Sequence, residues 1–185
     1  DNEVDGGDVD AFLSNGFSLD SSSTAYNASG STYASWNWKA NGTGSANTDG
    51  SINSTVSVNT TAGFSIVKWT GNHPNSATIG HGLGAVPKMI FVKTLDRSEN
   101  WVVYHHKTDA SAPEDKYLRL DDTNAVQDYP QFNDTAPTSS VFSVGGYAGV
   151  NASGEEMIAY CFAEKTGYSK FGSYTGNGNV DGTFV

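Results

Sequence analysis

The 185-residue sequence holds one cysteine, two methionines and five prolines, and only 16% of its residues are charged. The lone Cys161 cannot close an internal disulfide, so packing must hold the fold. Set in an apolar stretch, its thiol reads as buried and structural. Long periodic runs of Ala, Leu, Glu and Lys are missing, which argues against a helical protein. No stretch of 18 apolar residues occurs, so no membrane span is expected. No basic segment followed by an apolar run opens the chain, so no secretory signal is expected. Cationic residues are scarce too: 10 Lys and Arg against 20 Asp and Glu leave a net charge of −10. Nucleic-acid phosphates would be repelled, so no nucleic-acid partner is expected. Cations and neutral sugars stay compatible with that charge.

What is plentiful is glycine, at 21 residues, and aromatic side chains, at 12%. Short segments rich in Val, Ile, Thr, Tyr, Phe and Trp alternate with Gly, Asn and Ser, the pattern of an all-β protein. Strands are expected at 12–19, 31–40, 54–58, 64–72, 88–95, 100–106, 116–123, 139–146, 156–164 and 168–177. Residues 88–106 read as a hairpin. The stretch 41–63 reads as a polar loop or linker around the short strand at 54–58, and 73–87 as mostly loop. About ten strands at this spacing imply an antiparallel β-sandwich, jelly-roll or concanavalin-like. The first ten residues, "DNEVDGGDVD", fail the ligand spacing of an EF-hand and read as a solvated acidic arm.

An internal repeat runs through the sequence. "NASG" occurs at 27–30 and at 151–154, preceded by Phe17-Ser18 and Phe142-Ser143 and followed by an alternating aromatic run. Ala34, Trp36 and Trp38 in the first copy, and Ile158, Tyr160 and Phe162 in the second, are expected to point inward. "GFSIVKWTGN" (63–72) then matches "GYSKFGSYTGN" (167–177) with one inserted residue. Four elements recur in one order, which suggests the end of one unit (1–62, with the acidic arm and linker), a complete unit (63–166) and the start of another (167–185). On this reading the chain belongs to a longer repetitive polypeptide.

The ordered motifs "SWNWKANG", "AGFSIV", "WTGN", "PKMIFVK", "NWVVYH", "NDTAPTSSVFSVG", "IAYCFAE" and "GYSKFGSYTGNG" resemble a domain of unknown function (DUF7483-like). Such domains occur, often in tandem, in structural proteins of marine bacteriophages. The resemblance covers nearly all the chain from about residue 12. It implies a non-enzymatic virion component: a tail fibre, head fibre or decoration protein. The partners would be other virion proteins and copies of itself, with a trimer expected by analogy with cyclic appendages. It carries no established chemistry to any residue.

Few residues stand in a catalytic or metal-binding pattern. His73, His81, His105 and His106 form no metal-binding spacing, and the adjacent His105 and His106 should point to opposite faces of a strand. No G-x-S-x-G elbow exists. Asp115, Asp121, Asp122, Asp128, Glu155 and Glu156 are the carboxylates from which a glycosidase pair would have to come. The six N-x-S/T sequons at Asn27, Asn41, Asn53, Asn59, Asn133 and Asn151 are expected from composition alone. Candidate binding residues are Tyr129 with Asp128 and Asn133 in "DYPQFND", and Tyr147 in "GGYAG". Such aromatic loops, beside carboxylates and amides, suit a saccharide or receptor, with calcium as a possible aid. The competing reading is that Tyr129 and Phe132 plug the end of the sandwich. A subunit of a bacterial extracellular filament is a third functional reading.

Overall fold

The computed structural model of the chain describes residues 9–20 and 25–182. Most of the acidic arm, and the last residues of the expected third unit, lie outside them. The described residues fall into two compact units that divide between Trp38 and Lys39.

The first unit contains a hairpin of β1 (Val9–Leu13) and β2 (Gly16–Leu19). Leu13 pairs with Gly16, so the loop is the two-residue Ser14-Asn15, a length that suits a tight hairpin turn. The "NASG" turn follows. Residues 31–41 then form no strand, contrary to the alternation read in "STYASWNWKA". Tyr33 is 52% exposed and Trp36 76% exposed. Alternation makes a strand only where a neighbour offers its edge, and within this unit no such edge pairs with it.

The second unit is an antiparallel β-sandwich. Its strands are β3 (Ser45–Asn47), β4 (Ser54–Asn59), β5 (Phe64–Thr70), β6 (Ala77–Gly80), β7 (Met89–Thr94), β8 (Val102–His105), β9 (Lys116–Arg119), β10 (Gln127–Asp128), β11 (Val141–Val144) and β12 (Glu156–Phe162). One helical turn, α1 (Ala148–Asn151), precedes β12. Eight strands form one sheet in the order β10-β9-β8-β7-β12-β5-β4-β3, and β11 pairs with β6 as a second, two-stranded layer. The expected 88–106 hairpin is β7–β8. The last strand, β12, sits mid-sheet with β5 on one side and β7 on the other. Closing the sheet therefore requires contacts far apart in sequence. The β3–β4 hairpin extends this sheet beyond β5. Residues 45–59, which sequence placed ahead of a unit beginning at 63, thus belong to the same compact body.

Alternation sorts the side chains onto two faces. Val56, Val67, Trp69, Ile90, Val92, Val102, Tyr104, Met157, Ala159 and Cys161 pack with Ala77, Ile79, Phe142 and Val144 of the second layer. Trp69 meets Phe142 edge-on at 5.7 Å between ring centroids. Each fully buried aliphatic chain, such as Ile90 or Val92, contributes about 1.5–3 kcal/mol. The expectation for β12 is reversed in phase: Met157, Ala159 and Cys161 face this core, while Ile158, Tyr160 and Phe162 face the opposite side. There Tyr160 stacks with Phe64 at 6.4 Å and with Trp101 at 6.0 Å. Both faces of the sheet carry apolar side chains, so hydrophobicity alone could not tell which set looks into the sandwich. The other repeat segment also differs from expectation. Beyond an isolated bridge between Lys165 and Ser169, residues 170–177 form no strand.

Candidate functional site

The candidate tyrosines come from two loops at one end of the sandwich. Residues 129–135 follow β10, and residues 145–147 link β11 to α1. Phe132 anchors the first loop. It is 2% exposed and meets Tyr104 at 5.5 Å, so it is part of the core. The loop is closed by bonds from Gln131 N–H to Tyr129 O (2.7 Å) and from Asn133 N–H to Pro130 O (3.1 Å). It is tied outward by Tyr129 N–H to Asp115 O (3.2 Å) and Gly145 N–H to Gln131 O (2.8 Å).

Glycine lets the second loop approach. A Cβ on Gly145 would collide with the Pro130 carbonyl and the Tyr147 ring, and one on Gly146 with the Pro74 carbonyl. With those side chains absent, Tyr147 settles against Tyr129, the ring centroids 4.6 Å apart and tilted by 53°. Tyr129 is 47% exposed, so it does not plug the sandwich; Phe132 alone does. Tyr147 also begins α1, its carbonyl accepting from Val150 and Asn151 N–H. Partial desolvation raises its phenol above the usual range, with Tyr129 and Asp134 adding to the shift.

The remaining candidates separate. Asn133 and its neighbour Asp134 adopt left-handed backbone, φ 55° and 44°, an arrangement costly for non-glycine residues and concentrated at functional loops. Asp134 was not singled out by sequence; no pattern in "FNDT" marks it. Asp128 is committed elsewhere: its carboxylate accepts from Lys116 Nζ at 2.6 Å, across the β9–β10 pair. The arrangement is therefore an aromatic pair, one ring exposed and one half-buried, with an acid and an amide on a strained turn beside it. It offers rings for stacking and acceptors for hydroxyls, and holds no nucleophile–base pair.

The other candidate groups have structural partners. His81 is fully buried; its Nδ1 accepts from Leu83 N–H at 3.2 Å, leaving Nε2 to donate to Thr138 O at 3.2 Å. Burial lowers its pKa. His106 bonds Phe171 O at 3.0 Å, and burial, then the neighbouring His106, lowers the pKa of His105. Asp121 accepts from Trp101 N–H, Asp122 from Arg119, Glu155 from the Thr94 hydroxyl, and Glu156 pairs with Lys68. Among the described residues no three His, Cys, Asp or Glu side chains converge as a metal site. Burial pushes the Cys161 thiol far above its usual range. Among the sequons, Asn151 is fully buried and its side chain is bonded inside the protein.

Those Asn151 bonds form a second constellation that sequence reading missed as a contact. The two "NASG" and "TGN" motifs were visible, but not that they touch. Asn72 N–H donates to Asn151 Oδ1 (3.0 Å), and Asn151 Nδ2 donates to Asn72 Oδ1 (2.8 Å) and Asn75 O (2.7 Å). His73 N–H donates to Asn151 O, Gly71 N–H to Glu155 O, and Gly154 N–H to Gly71 O. Turn is thus locked on turn where β5 ends and β12 begins.

A family model described as domain of unknown function (DUF7483) matches residues 1–185, and the chain belongs to that family. No curated protein and no solved structure matches it.

Proposed function

We propose that this DUF7483 chain is a non-enzymatic structural protein of a phage virion, working as part of a tail fibre, head fibre or decoration layer. The observation that carries the reading is where the aromatic surface lies. The sandwich buries its own core, yet Trp36, Tyr168 and Tyr174, exposed by 76%, 66% and 70%, stand on segments that form no strand. Large exposed aromatics suit contact with neighbouring subunits. Cyclic appendages favour a homo-oligomer, with a trimer as the first expectation. The motif resemblance to marine phage structural proteins supplies the particle. Peptide mapping of purified virus particles tests it: recovery of this chain among the structural proteins supports the reading. Recovery only from bacterial surface filaments overturns it in favour of an extracellular filament subunit.

A second reading concerns the same protein's outer contact, and the Tyr129–Tyr147 pair favours it. Two rings 4.6 Å apart beside Asn133 and Asp134 suit stacking on a sugar of the host surface. A glycan array probed with and without EDTA tests this contact and any assistance from calcium. Binding lost in Tyr129→Ala supports it, and silence across all glycans removes it.

A further inference from the structure

We infer that the loop following β12, residues 164–170, is a binding site for a saccharide that carries an acid group, with Lys165 and Lys170 meeting the acid and Tyr168 stacking on the sugar ring. The site is separate from the Tyr129–Tyr147 pair and does not depend on which particle the chain belongs to. It assigns to a ligand one of the exposed aromatics offered above to neighbouring subunits.

The loop lines an open cleft of about 680 Å³, a size that suits a small ligand. Its shape is fixed by the backbone. Lys165 N–H donates to Ser169 O (3.1 Å) and Ser169 N–H to Lys165 O (2.9 Å), so the two residues are paired across the residues between them. Inside the loop Tyr168 N–H donates to Lys165 O (2.9 Å), and Gly167 takes the left-handed φ of 75° that such a tight turn requires. The base of the loop is tied to the sandwich. Ala163 N–H donates to Gly63 O (2.8 Å), Ser169 Oγ donates to Ala163 O (3.4 Å), and the Phe171 ring lies 6.2 Å from that of Phe162. His106 Nε2 bonds the Phe171 carbonyl at 3.0 Å. A Cβ on Gly63 would sit 2.9 Å from Lys165 Cγ and 3.2 Å from its Cε, so the lysine stem lies over that glycine and is held against the sandwich.

The side chains of the cleft run against the composition of the protein. The sequence has 20 acidic residues and 10 cationic ones, yet here two lysines stand with one acid. That acid, Glu164, already accepts from Phe171 N–H through Oε1 at 3.2 Å. Among the described residues neither Lys165 nor Lys170 joins an ion pair, whereas Lys68, Arg97, Lys116 and Arg119 do. Tyr168 stands between the two lysines in sequence and is 66% exposed. A neutral sugar would have no use for two ammonium groups, and a bare inorganic anion none for the ring. An acidic sugar uses both: its charged group accepts charge-assisted hydrogen bonds from the lysines, and its C–H face packs on the ring. The Thr166 and Ser169 hydroxyls line the same cleft and can accept from sugar hydroxyls. The remaining negative charge of the chain repels such a ligand at long range, but salt screens that repulsion beyond about 10 Å, and the contacts in the cleft are shorter.

The test titrates the purified chain calorimetrically with short oligosaccharides bearing uronate, sialate or sulfate groups, with neutral oligosaccharides of the same lengths, and with inorganic sulfate and phosphate. Binding of an acidic oligosaccharide is expected, weakened about tenfold or more in Lys165→Gln/Lys170→Gln and reduced in Tyr168→Ala, with unchanged melting temperatures. Lys170→Gln alone, at an exposed position, keeps the test valid should the double variant melt early. Tyr129→Ala should leave this binding as it is, which separates the two sites. Silence towards every acidic oligosaccharide overturns the inference, and so does binding that the lysine variants retain in full. Inorganic sulfate or phosphate bound as tightly as the sugars, and unaffected by Tyr168→Ala, would make the cleft a plain anion site and overturn the saccharide assignment. If Tyr168→Ala changes the sedimentation of the protein and leaves glycan binding alone, the ring belongs to a subunit contact and the assignment fails.

Discussion

Gly30 and Gly154, 124 positions apart in sequence, end the same turn: both are left-handed, and each turn is closed by a 3.2 Å bond from the next residue's N–H back to an alanine carbonyl. Their surroundings differ. After Gly154 the chain becomes the central strand β12, and after Gly30 it forms no strand. The contrast lets matched substitutions separate local turn chemistry from tertiary packing.

Asn151→Ala should destabilise the protein by about 1–3 kcal/mol, because it removes three hydrogen bonds made by a fully buried side chain. Asn27→Ala, at the equivalent exposed place, should stay within about 0.5 kcal/mol. Urea denaturation of both variants measures the difference. Equal effects would mean that the Asn151 lock contributes no more than the turn itself.

Phe132→Ala should cost about 3–5 kcal/mol, as expected for emptying an aromatic site in the core. Tyr129→Ala, on the same loop, should cost less than about 1 kcal/mol, because its ring is half exposed. Thermal melts of the two variants decide whether Tyr129 supports the sandwich end. A large loss in Tyr129→Ala would return it to a packing role.

Stability should fall on acidification below neutrality. Burial holds the folded His81 pKa below 6.5, so the unfolded chain takes up the proton first. Its contribution is complete above pH 6.5 and is lost as pH falls from there through the folded value. His105, shifted the same way, adds to the slope. Urea midpoints measured from pH 7.5 to 5 should decline, and less steeply in His81→Gln. An unchanged slope in that variant would remove His81 as a source.

The Cys161 thiol should be inert in the native protein. It is fully buried and its pKa is raised by burial, so both access and thiolate are denied. Ellman's reagent should label it only at the rate of unfolding. Rapid labelling without denaturant would show that the β5–β12–β7 centre opens locally.

The sequence by itself determined the all-β class, the hairpin at 88–106, the buried thiol and the two "NASG" turns. Each depends on short-range chemistry: β-branched and aromatic residues favour extended backbone, and glycine permits left-handed φ. Tyr129 and Tyr147 were each marked by the composition of their loops, but their contact, Asp134 and the Asn72–Asn151 lock were not, since contacts between distant segments leave no local mark. Tertiary structure decided which face of β12 meets the second layer, because both faces are apolar and only the placement of β6 and β11 breaks the tie. It also decided that "MIAYCF" is a strand and "ASWNW" is not. A strand's backbone groups need ladder partners on its edges; β12 pairs with β5 and β7, and residues 31–41 enter no ladder.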